Sequence, residues 1–315
     1  MAAASTDWSE TVSADEDARH QAFTEVIVGL QSRINARRGP GRAFHRKAVA
    51  ALSGTLTVPG GLPGYAAQGL FAEPGMFDAL VRMSDGAVVP QPDQAPDVRG
   101  FALSVRGLSG PGALGERTDR QDFLLINRPS FGFRDSRDFA AVVQASSGGP
   151  RALLSMLVDT HGAVRGAQEA ARQAAELARP FTGYATSDFH SCAPVAWGPY
   201  AAHVHVRPVG ATLNLLAWRS WGADIRRRVA AGPLRWEVQA QFYTDPRSTP
   251  IEDGRRAWSS PKVTVGHLTL THLADAEAVE ADRFDPWLAL EEHRPLGEIM
   301  RARRAAYWAS FQNRT

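Results

Sequence analysis

The strongest constraint on this chain is a set of short segments rich in β-branched and aromatic residues, bounded by Gly, Pro or Asp, on both sides of a helical block. Before the block they run Leu52–Val58, Ala79–Ser84, Gly100–Arg106 and Asp122–Asn127; after it, Ala201–Arg207, Ala211–Ala217, Arg235–Phe242 and Val263–Thr269. Ala201–Arg207 and Ala211–Ala217 flank Pro208-Val209-Gly210 and read as a hairpin. Arg137–Ala145, Pro150–Asp159 and the Ala-rich Ala163–Ala178 read as the helices between. A first helix opens near Asp15, with Ala22, Phe23, Val26, Ile27 and Leu30 at helical spacing and Gly39-Pro40-Gly41 as its stop. A last helix covers Gly297–Phe311. About eight short strands close into an antiparallel barrel with helices packed outside, an α+β architecture. Without repeats or low-complexity tracts, residues 16–315 read as one domain behind a polar, mobile arm at 1–15.

Charge and cysteine content exclude several classes. The 35 basic and 33 acidic side chains balance too closely for a dedicated nucleic-acid or polybasic membrane binder. Lys47 and Lys262 are the only lysines, so arginine, the better fork for carboxylates, dominates the basic residues. One cysteine, Cys192, excludes an internal disulfide and a Cys-rich metal site. No apolar stretch approaches membrane-spanning length, and the acidic N-terminus does not resemble a secretory signal. A soluble, cytoplasmic protein is expected.

In the last helix, Arg303 and Tyr307 stand four residues apart and share a face. A phenol ionises near pH ~10, and an adjacent guanidinium favours the phenolate. A tyrosinate beside Arg is suited to bind haem iron axially. Taken alone, the pair reads more readily as a packed Tyr beside a surface Arg on an amphipathic helix.

Further motifs precede it. Arg42-x-x-His45-x-Lys47 leads into the first strand, followed by Val81-Arg82-x-Ser84, Asp97-x-Arg99-Gly100-Phe101-Ala102 and Asn127-x-Pro129-x-Phe131. This ordered set, closed by Arg303-x-x-x-Tyr307 and with Phe284-Asp285-Pro286 ahead of the last helix, resembles the haem-catalase family from about residue 40 onward. Pro250-Ile251-Glu252-Asp253 and His293-Arg294-Pro295-Leu296-Gly297 are similar to its minimal bacterial, catalase-related peroxidase branch.

The resemblance implies roles. His45 would be the distal acid–base group that takes a proton from peroxide and returns it to the leaving oxygen. Asn127 would orient the peroxide, and Ser84 the imidazole. Tyr307 would be the axial ligand of haem b (iron protoporphyrin IX), kept anionic by Arg303. Arg42, Arg82 and Arg314 would bind the propionates. Phe131 and Phe139 would wall the haem, although ordinary core packing accounts for them as well. His203-Val-His205 has a spacing a metal could use, but a structural role is favoured because no third ligand joins it locally; Arg226-Arg227-Arg228 reads as a solvated face.

Three departures bear on activity. The bulky Phe44 precedes His45 where ordinary catalases carry a small aliphatic residue. Gly132 stands where a second aromatic is expected after Phe131. The chain stops eight residues after Tyr307, without the wrapping and helical regions of large catalases. A more open pocket is expected, favouring a peroxidase that uses peroxide and a small organic donor, with weak catalase activity. The alternatives are a tailoring enzyme acting on one metabolite or lipid hydroperoxide, similar to allene oxide synthase, and a haem-binding protein without turnover. A homodimer is the family-level expectation.

Overall fold

Period-two alternation decides which strand residues face inward. In the computed structural model, which describes residues 3–146 and 150–314, nine strands form one antiparallel sheet. They are β1 (Ala48–Val58), β2 (Gly75–Asp85), β3 (Arg99–Pro111), β4 (Arg117–Ile126), β5 (Phe189–Ser191), β6 (Val195–Trp197), β7 (Tyr200–Val209), β8 (Leu234–Phe242) and β9 (Lys262–Leu273). The order β5-β4-β3-β2-β1-β9-β8-β7 closes through a β5–β7 pairing, so eight strands make the barrel and β6 lies outside it on β7. Alternate residues fill the interior: Val81 and Met83, Phe101 and Leu103, Phe123 and Leu125, Val204 and Val206, Trp236 and Val238, Leu268 and Leu270. Burying each large side chain is worth about 1.5–3 kcal/mol. Gly54 permits the close β1–β9 approach, because a Cβ there would lie 2.0 Å from the Thr269 carbonyl oxygen.

The segment Ala211–Ala217 is not a strand. Asn214 Oδ1 accepts from the Leu216 N–H at 3.1 Å, and its Nδ2 donates to Asp224 Oδ1 at 2.6 Å, so a side-chain-capped turn replaces the ladder. The alternating leucines that suggest a strand are exposed, Leu215 at 76%. The closing strand is instead β5, three residues long, which pairs Ser191 with Leu125 and Phe189 with Val206.

Outside the barrel lie α1 (Glu16–Arg38), α2 (Ser136–Ser146), α3 (Pro150–His161), α4 (Ala163–Leu177), α5 (Trp221–Ala231), α6 (Ala276–Ala281) and α7 (Glu298–Gln312). Phe23, Ile27 and Leu30 of α1 pack on Ala302 and Ala306 of α7, whose small side chains let the helices approach. Acidic Glu16 and Asp17 open α1 and Arg37 and Arg38 end it, complementing its dipole. Arg226 and Arg227 lie on the exposed face of α5, while Arg228 bonds Asp224 at 2.7 Å. Ahead of α1, Ser5 donates to the Tyr243 carbonyl, Trp8 Nε1 to that of Pro199, and Glu10 pairs with Arg294 and Arg301. Among the described residues no helix is long and apolar enough to cross a membrane.

Candidate functional site

Register brings the first cluster together at one end of β1–β4. Ser84 pairs with Gly100 and Gly100 with Ile126, so the end of β2, the start of β3 and the end of β4 form a row. His45 enters this row from the loop before β1, with its Nδ1 3.1 Å from Ser84 Oγ. Its backbone is left-handed, φ 54°, the only such non-glycine among the described residues. That conformation costs about 1–3 kcal/mol and survives only where its surroundings fix it. Three contacts do so: His45 N–H donates to the Gly86 carbonyl at 3.2 Å, Arg82 Nη2 donates to the His45 carbonyl at 2.8 Å, and Gly100 makes room for the ring. A Cβ on Gly100 would stand 2.5 Å from His45 Nδ1.

Burial, then the charges of Arg82, Arg303 and Arg42, push the His45 imidazole down to about 3. It is therefore neutral at pH 7, with a nitrogen available to accept a proton. Asn127 follows β4; its Oδ1 accepts from the Arg99 N–H at 2.7 Å, which leaves Nδ2 as a donor without a protein acceptor among the described residues. Behind this cluster Arg99 pairs with buried Asp85, and the Tyr184 hydroxyl donates to the Ser84 carbonyl at 2.8 Å.

A second cluster gathers Arg42, Arg82 and Arg314 around α6. Arg42 Nη2 donates to the Asp282 carbonyl at 2.9 Å, and Arg314 Nη1 donates to the same oxygen at 3.0 Å. Burial and the neighbouring guanidinium charges lower Arg42 to about 9 and Arg314 to about 10. Arg314 Nε is buried without a hydrogen-bond partner, and Arg42 Nε faces the Glu280 carboxylate at 3.5 Å. Crowded cations with unpaired donors are suited to carboxylates brought by a ligand.

The third cluster is one turn of α7. Arg303 Nη2 donates to the Tyr307 hydroxyl oxygen, its Nη1 faces Met300 Sδ at 3.3 Å, and Cys192 also bonds it. Among the described residues Arg303 makes no salt bridge to a carboxylate. Burial opposes its charge, but the Tyr307 oxygen and the Cys192 sulfur overcome that, so the proton is held more firmly than usual. The approach to α7 is pinned where Asp285 N–H donates to Asp122 Oδ2 at 3.0 Å.

The aromatic wall combines neighbouring segments. Phe131 packs on Phe133 and Phe139, and Phe139 on Phe44 and Phe23, with ring centroids 5.1–5.9 Å apart. Gly132 has φ 87° and nothing within 4 Å of where a Cβ would project, so space is open there although Phe133 supplies a second ring. His203 and His205 are not free ligands: His203 Nδ1 is 2.9 Å from Ser191 Oγ, and His205 bonds His190 and Gln241.

Sequence reasoning missed three neighbours of the expected residues. Gly100 lies inside Asp97-x-Arg99-Gly100-Phe101-Ala102, where its missing side chain is the available signal. Glu280, which pairs with Arg82, and Cys192, which meets Arg303, carry no local signal at all.

No protein-family profile and no curated protein sequence matches the chain. Among solved structures it is similar to a fungal catalase (19% identity, TM-score 0.70, 90% of this chain and 61% of that one). It is similar also to catalase A from Saccharomyces cerevisiae (18%, 0.71, 90% and 63%) and to a bacterial catalase (18%, 0.69, 100% and 63%). The chain thus spans a little over three fifths of the length of these structures. Their shared architecture assigns the eight-stranded barrel and its helices to a catalase-like fold.

Proposed function

We propose that this chain is a haem-dependent enzyme acting on peroxide, with a small organic donor as the reductant, similar to the minimal catalase-related peroxidases. One observation carries the reading: His45, seated on Ser84 Oγ at 3.1 Å, accepts on its carbonyl from Arg82, which meets Arg42 and Arg314 at Glu280, and the charges of Arg82, Arg303 and Arg42 act on its ring. A proton acceptor, the carboxylate-binding arginines and the Arg303–Tyr307 pair therefore surround one location.

The residues present fit a haem. The buried, unpaired Nε of Arg314 and the free Nη1 of Arg82, beside Arg42, would suit propionates, and Tyr307 is the phenol an axial ligand requires. Arg303, without a carboxylate partner among the described residues, directs its guanidinium at the Tyr307 oxygen. When bound, the haem would supply the redox chemistry. His45 would take the peroxide proton and deliver it to the leaving oxygen, while Asn127 Nδ2 holds the peroxide by a hydrogen bond. Ser84 and Gly100 would keep the imidazole in place. Open space beside Gly132 favours entry of an organic donor.

Reconstitution with haem b, followed by peroxide with and without a phenol, tests this. Donor oxidation faster than oxygen release is the expected result. Rapid oxygen release without donor oxidation would make the enzyme a plain catalase, and no reaction with either would overturn the peroxide reading.

A further inference from the structure

The arginine cradle contains a carboxylate of its own. Glu280, on the last turn of α6, takes one whole edge of Arg82: Nε donates to Oε1 at 2.5 Å and Nη2 to Oε2 at 3.1 Å. Its Oε2 also lies 3.5 Å from Arg42 Nε, and its main-chain oxygen accepts from Arg42 Nη2 at 3.3 Å and from Arg314 Nη1 at 3.5 Å. All three guanidiniums therefore meet at one residue. Burial works against its charge, but Arg82 and Arg42 hold the carboxyl below its ordinary range, so it is ionised at neutral pH. Asp282, the next carboxylate, is committed to Arg106 and to Arg120 at 3.1 Å.

We propose that Glu280 is a positioning residue that presets this cradle for a porphyrin carrying two propionates; the proposal rests on the haem reading above. Charge and geometry support it together. Three guanidiniums and one carboxylate leave two net positive charges, which two propionates neutralise. Glu280 grips the Nε–Nη2 edge of Arg82 and leaves its Nη1 without a protein partner among the described residues, available to a ligand. The same Arg82 donates to the His45 carbonyl, so the grip also steadies the strained loop of His45. Bidentate pairing fixes orientation as well as charge, which a single contact would not.

The test compares release of haem b and of its dimethyl ester, whose carboxylates are masked, into excess apomyoglobin, using the full chain and Glu280→Gln. Removing a charge-assisted pair should speed release of haem by ~10–100-fold. Release of the ester should change less than about twofold, since it offers the arginines no carboxylate to orient. A role in general packing would accelerate both alike, and that result, like unchanged haem release, overturns the assignment of Glu280. A Glu280→Gln protein that does not fold is replaced by Glu280→Asp with all three arginines intact. That variant keeps the charge but is too short for the two-oxygen grip on Arg82, and it must show the same contrast between haem and ester. Wild-type protein that takes up neither form overturns the haem reading and this proposal with it.

Discussion

The His45 side and the Tyr307 side of the candidate site are built in different ways. His45, Ser84, Gly100 and Asn127 come from four separate stretches of chain and are held by strand register, a left-handed backbone and main-chain hydrogen bonds. Arg303 and Tyr307 come from one helical turn, set by the i,i+4 geometry and the packing of α7 on α1, with Cys192 meeting Arg303 from outside the helix. The first arrangement is over-determined and intolerant of displacement. The second depends on side chains of one turn and on Cys192, and is damaged chiefly by changing their chemistry.

Substitutions should separate the two sides. His45→Ala removes the proposed proton carrier and should slow the reaction with peroxide by ~10²–10⁴-fold with haem uptake unchanged. Stopped-flow mixing checks this, and an unaltered rate would place the acid–base chemistry elsewhere. Gly100→Ala drives a methyl group toward His45 Nδ1, and a displacement of about 1 Å should cost about 10²-fold with haem content unchanged. Asn127→Ala loses the hydrogen bond to peroxide together with the Oδ1 acceptor of the Arg99 N–H and should cost roughly three- to tenfold in rate.

Acid stability sharpens the contrast further. Burial lowers His45 and His190 to about 3, and His203 and His293 to about 4. An unfolded histidine takes up its proton near pH ~6.5, so between there and the depressed values the unfolded chain binds more protons than the folded one. The stability from these groups is thus present above pH ~6.5 and lost as pH falls toward 4 and below, by up to ~1.4 kcal/mol per pH unit for each histidine. Denaturant titrations should show this decline, with His45→Gln flattening it by one proton. A stability independent of pH over that interval would contradict the burial of these rings.

The same division explains what was legible in the sequence. Barrel strands with period-two apolar sets, such as Phe101, Leu103 and Val105, announce themselves, as does the Arg303/Tyr307 spacing. The closing strand β5 is too short to show a period, and the Leu213–Leu216 stretch imitates one while an Asn214-capped turn leaves its leucines exposed. His45, Ser84 and Asn127 were readable only as an ordered set, because strand register joins them and the linear sequence does not. Glu280 and Cys192 meet their arginines solely through tertiary packing, which no local pattern encodes.

The central proposal is that Tyr307, beside Arg303, would hold a haem iron. Titrating wild-type protein and Tyr307→Phe with haem b while recording visible and electron paramagnetic resonance spectra tests it most directly. The expected result is stoichiometric binding by the wild type with a high-spin, oxygen-ligated ferric signature, and loss of that signature or of haem itself in Tyr307→Phe. Equal haem content and identical spectra in the two proteins would show that the iron is held by another residue.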